Sequence, residues 1–189
     1  MFDFDDSRLE SPEVLAAAAP LLMNLASSGA RVRREAAMAE APLAALDDVD
    51  RPRAVIAYGP EARLLRAVLE PVCPVPFVAW PALGLPGWVG PLDIVLLIGR
   101  RGPESMAVAH EAVRRGCRLI VACPPDSPLA ERSASRSTTL LPVNTGDPLA
   151  AAVVFLVALH RLGLGPYTST DAIAAALDPI VSSRLPGVR

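Results

Sequence analysis

The chain has 189 residues, a formal net charge of −2, and 52% apolar against 20% charged residues. That length can enclose one full core, the balance is that of a folded rather than a disordered chain, and the missing basic surplus excludes a general nucleic-acid binder. All 18 basic residues are arginine, which excludes Schiff-base lysine chemistry and a lysine-bearing phosphate loop.

Residues 1–10 carry four acids where a secretory leader would be basic. Ser11, Pro12 and Glu13 read as a helix start: a capping hydroxyl, proline in the first turn and an acid at its positive end. That helix is predicted to run to about Ser28, bent at Pro20 and closed by Gly29. A second is predicted over 31–46, interrupted at Pro42. Together they make a helical preface, 1–50, that would pack beside a sheet. The charged linker DDVDRP, 47–52, leads into an α/β part over 51–166.

Strand one is expected at 54–58, followed by the turn Gly59-Pro60 and a helix over 61–70. Strand two, 75–79, is framed by prolines and suits a sheet edge. A Pro/Gly loop over 81–91 carries Trp88 as its packing anchor. Residues 94–98, IVLLI, have the unbroken aliphatic pattern of a strand buried on both faces. Gly99 and Gly102 break that run, Pro103 opens a helix, Gly116 ends it, and a fourth strand follows at 117–122. Strand, crossover helix and strand make a right-handed parallel unit. A short helix over 127–133, with Asp126 as its cap, leads to strand five at 138–143. Asp147 then caps a hydrophobic helix over 148–162, and Thr170 caps a last one over 171–177, within a C-terminal segment 167–189.

Five strands alternating with helices specify a three-layer, doubly wound, five-stranded parallel sheet, with order 2-1-3-4-5 if strand two is at the edge. Ligands of such sheets gather at the carboxyl ends of the strands, so those loops are the candidates for binding. After strand one only Gly59 remains of the three glycines a dinucleotide fingerprint needs, so no nicotinamide or flavin site is expected. After strand three, Gly99, Arg100, Arg101, Gly102 and Ser105 could hold a phosphate or carboxylate through guanidinium forks and backbone amides. Ser127 follows strand four; Asn144 and Thr145 follow strand five. His110 and His160 fall on helices away from the strand ends. No nucleophile triad, metal set or carboxylate pair can be assembled there, so neither a catalytic residue nor a cofactor is expected. Cys73, Cys117 and Cys123 have no ligand spacing and read as reduced thiols. The longest apolar run, 149–159, is too short to cross a bilayer, and a cytoplasmic chain without membrane contact is expected.

The order of pieces resembles the SIS (sugar isomerase) domain, in particular the N-terminal half of bacterial bifunctional phosphoglucose/phosphomannose isomerases and their degenerate TobH-like relatives. The residues that carry the resemblance are RPRAVIAYGPEAR at 51–63, PVPFVAW ending at Trp80, and the stretch 85–123 beginning LPGWVGPLDIVLLIGRRG. SPLAE at 127–131 and the segment 144–164 complete it. The resemblance implies carbohydrate metabolism, a sugar phosphate or similar anion as ligand, and a homodimer or pairing with another SIS domain. It also implies losses. The family's glycine-serine turn is here Tyr58-Gly59-Pro60-Glu61. Its hydroxyl-rich loop after strand three holds Arg100, Arg101, Pro103 and Glu104, and its proline-arginine pair falls on Pro148-Leu149. The second half that brings the proton-transferring residues does not match any part of these 189 residues. The expectation is a ligand-binding or assembly domain without catalysis; the alternative is an isomerase active only as an oligomer or with a second half.

Overall fold

The computed structural model describes residues 11–46, 50–98 and 102–179. Five strands form one all-parallel sheet: β1 (Val55–Tyr58), β2 (Phe77–Ala79), β3 (Ile94–Ile98), β4 (Arg118–Cys123) and β5 (Thr138–Pro142), in the order β2-β1-β3-β4-β5. The expected topology holds, with the short proline-flanked strand at one edge. Every residue of β1 and β3 is buried, because helices cover both faces of the sheet. One face, with Val55, Leu96 and Ile120, packs against α3 (Glu40–Ala44), α4 (Ala62–Leu69) and α7 (Pro148–Arg161). The other, with Ile56, Val95, Leu97 and Val121, packs against α5 (Pro103–Arg114) and α6 (Pro128–Ser133).

The preface differs from the expected one in its breaks. Helix α1 (Pro12–Ala26) runs through Pro20, and Gly29 does not close it but lies buried inside α2 (Ser28–Met38). A Cβ on Gly29 would stand 2.7 Å from the carbonyl oxygen of Ala174 in α8 (Thr170–Leu177), so glycine there permits the close approach of α2 and α8. The second helix breaks at Ala39, not Pro42. Proline lacks the amide of the helical ladder and its ring crowds the carbonyl four residues back, so the break falls upstream and Pro42 sits in the first turn of α3. Helix α1 has no buried residue and exposes Leu21, Met23 and Leu25. Val32 of α2 and Ala174 of α8 form a small core with Ala150 and Val153 of α7.

Three local expectations are corrected. Helix α6 is capped by Ser127, whose hydroxyl accepts from the Ala130 amide at 3.2 Å; Pro128 at the first position fixes the cap at 127 rather than at Asp126. Ser169, not Thr170, caps α8, accepting from the Ala172 amide at 3.2 Å. Trp88 is 48% exposed, its ring 5.7 Å from the Arg53 guanidinium, and the loop is anchored instead by buried Leu85 and Val89. Among the described residues no helix is long and apolar enough to cross a membrane, and no three metal-ligating side chains converge.

Candidate functional site

The carboxyl ends of the strands open into two clefts, one on each side of the turn between β1 and α4. The β5-side cleft, of about 330 Å³, lies between the ends of β3 and β4 and the loop that leads into α7. Its polar lining is Glu61, Asn144, Thr145 and Asp147, with Cys123 bordering it at the end of β4. The β2-side cleft, of about 480 Å³, lies between the ends of β1 and β2 and the start of α5. Tyr58, Arg63, Trp80, Glu104 and Ser105 line it.

Gly59 ends β1 with φ +129, and a Cβ there would come within 2.9 Å of the Ile98 carbonyl oxygen. Only glycine lets the chain turn so close to β3. Gly102 is the N-cap of α5 and gives that helix no capping side chain, so among the described residues no side chain caps the positive end of α5. Glu61 occupies the corresponding place in α4, yet its carboxylate does not cap α4 either. Among the described residues the Glu61 Oε2 and Trp80 Nε1 atoms are buried without a hydrogen-bond partner, and the two residues border different clefts. Burial, and secondarily the Glu104 carboxylate, push the Tyr58 hydroxyl above its ordinary pKa, so at neutral pH it remains a donor. Burial likewise pushes up the Cys123 thiol, against an opposing hydrogen bond with Ser127.

The β5–α7 loop is held from the preface. Glu35 of α2 is fully buried and its carboxylate accepts from the amides of Asn144 (3.0 and 3.1 Å) and Thr145 (2.6 Å). One helical turn earlier, Arg31 bonds to the Asp147 carboxylate and also donates to the hydroxyls of Ser27 and Ser28. Asp147 in turn accepts from the amides of Leu149 (2.8 Å) and Ala150 (3.3 Å), capping α7 as the sequence predicts.

The sequence-predicted residues therefore divide. Gly59 and Ser105 line the β2-side cleft, Asn144 and Thr145 the β5-side cleft, and Gly102 stands at the start of α5. Ser127 lines neither; its hydroxyl is engaged with α6 and the Cys123 thiol. Gly99, Arg100 and Arg101 lie outside the described residues. Sequence reading missed Glu35, Arg31 and Trp80. Arg31 and Glu35 stand four apart, the spacing of an ordinary surface ion pair. In the fold each reaches past the other to residues more than a hundred positions away.

No family model matches the chain, and no curated protein matches it. Solved structures do. A candidate phosphosugar isomerase from Silicibacter pomeroyi superimposes with a TM-score of 0.59 at 16% identity, over 86% of this chain and 55% of that one. The sugar isomerase domain of the RpiR transcription factor from Sphaerobacter thermophilus gives 0.52 at 18% identity, over 81% and 92%. An Escherichia coli CFT073 protein in complex with a sugar phosphate gives 0.51 at 19% identity, over 93% and 95%. The chain spans about half the length of the Silicibacter protein and of a second candidate phosphosugar isomerase from Bacillus subtilis. At these identities the likeness is one of fold.

Proposed function

We propose that this chain, an SIS-type α/β domain by fold, binds a sugar phosphate at the carboxyl ends of its strands without turning it over. The observation that carries the reading is the position of the two orphaned buried atoms, Glu61 Oε2 and Trp80 Nε1. A buried polar group without a partner costs free energy, and both border the clefts where ligands of such sheets bind. In this reading the uncapped start of α5, with Gly102 and Ser105, takes the phosphate, joined by Gly99, Arg100 and Arg101 on sequence grounds. Gly59, Asn144 and Thr145 border the sugar. The sugar phosphate held by one structural neighbour supports the ligand class.

Titration of the protein with a panel of hexose and pentose phosphates by calorimetry tests the reading. Saturable heat is expected with at least one; no heat and no thermal shift with any would remove it. Pairing with a second such domain belongs to the same proposal and is supported by α1, which has no buried residue. A monomer mass by light scattering at assay concentration would remove that part.

A second reading, an isomerase completed by another half, is supported by the chain's spanning about half of two candidate phosphosugar isomerases. Moving a proton between adjacent carbons requires a positioned base. Turnover of fructose 6-phosphate in a coupled assay, abolished by Arg100→Ala or Arg101→Ala, would favour this reading over binding alone.

A further inference from the structure

The β5-side cleft has used most of its loop amides internally. Its loop amides at Asn144 and Thr145 are taken by Glu35, and those at Leu149 and Ala150 by Asp147, which Arg31 also holds. Among the described residues its lining contains no basic side chain. An acceptor is also left unmatched: the buried Oε2 of Glu61, on a side chain that does not cap its own helix and, among the described residues, meets no cation. A phosphate placed here would meet the carboxylates of Glu61 and Asp147 and, among the described residues, no basic side chain. A hydroxyl or ammonium group would meet an acceptor that lacks only a donor.

From this we propose that Glu61 is the specificity-determining residue of the site. Its carboxylate receives a hydrogen bond from a donor on the sugar, a hydroxyl or a protonated amine. The ligand therefore lies with its phosphate toward α5 and its donor-bearing carbons toward the β5–α7 loop. This rests on the sugar-phosphate reading and gives that site a direction. A hydrogen bond to a charged acceptor is strong enough to change affinity by about tenfold or more.

Calorimetric titration of the full chain with glucose 6-phosphate, glucosamine 6-phosphate and inorganic phosphate, repeated on Glu61→Gln and Glu61→Leu, tests the proposal. Glu61→Leu should weaken the sugar phosphates by about tenfold or more while leaving inorganic phosphate unchanged. Glu61→Gln separates the donors: a larger loss for glucosamine 6-phosphate identifies the amine, equal losses identify a hydroxyl. Ligand-free Glu61→Leu should melt no lower than the parent, because it removes an unpartnered buried acceptor. Lower melting would mean that the carboxylate holds the fold, and would overturn the assignment. So would sugar phosphates that bind Glu61→Leu as they bind the parent, or a loss shared equally by inorganic phosphate. Sugar phosphates that bind but ignore Glu61 sink this inference alone. If none binds the parent chain, the binding reading falls with it.

Discussion

Helices α5 and α7 both begin with proline at the carboxyl end of the sheet, and the residue before each proline makes the difference between them. Before Pro148 stands Asp147, which caps α7 with its own carboxylate and is itself tied to Arg31. Before Pro103 stands Gly102, which caps nothing with a side chain. The β5-side cleft therefore carries its anion as part of the chain, while at the β2-side cleft no described side chain caps the start of α5, which in the proposed reading receives an anion from outside. Two helix starts with the same punctuation thus take opposite roles, one structural and one available. The preface decides which, because α2 supplies both the acid and the base that close the β5–α7 loop.

The largest expected effect comes from breaking the closed side. Glu35→Ala leaves the Asn144 and Thr145 amides without their acceptor and should destabilise the fold by about 2–3 kcal/mol. In a chain of this size that lowers the melting temperature by about 4–12 °C. Glu35→Gln keeps one carbonyl acceptor and should fall between. A melting temperature unchanged in Glu35→Ala would mean the loop stands without the preface, and the contrast between the two helix starts would lose its cause.

Gly59→Ala tests the turn that separates the two clefts. The positive φ and the 2.9 Å approach to the Ile98 carbonyl oxygen leave no comfortable place for a Cβ. A cost of about 1–3 kcal/mol is expected from strain of this kind. Urea denaturation reads it directly, and a neutral substitution would show that the end of β1 can shift without disturbing β3. Glycine at this position would then require an explanation from ligand approach instead of backbone geometry.

Much of this fold was legible from composition and period alone. The aliphatic run of β3, the prolines flanking β2 and the Gly116 stop each act within a few residues of where they stand, so strand order and crossover followed from local rules. Half the candidate site was legible for the same reason, since loops after parallel strands must end at one side of the sheet. Glu35 was not. Its role depends on which face of α2 meets the β5–α7 loop, and a helix of mixed polarity does not announce that face. Pro42 misled for a related reason: proline marks a break but acts on the turn before it. Trp88 misled through size, because a large ring can stack on Arg53 at the surface as readily as it can fill a core.

The smallest effect concerns the two cysteines at opposite ends of β4. Cys117 and Cys123 are both buried, and burial is the leading cause that pushes each thiol above its ordinary value of 9.0. In the unfolded chain these thiols lose their protons first, so the folded state is favoured below pH 9.0 and loses ground as pH rises through the raised folded values. Urea midpoints should therefore be level from pH 7 to about 9 and decline above it, and the Cys117→Ala/Cys123→Ala double variant should flatten the decline between about 9 and 10. Cys123 alone of the pair borders the β5-side cleft. Alkylation at pH 8, followed by peptide mass, should label partly exposed Cys73 first, then Cys123, and Cys117 last. A saturating sugar phosphate should slow Cys123 and leave the other two unchanged. Protection shared equally by Cys117 would point to tightening of the whole sheet, and the cleft would lose its claim to the ligand.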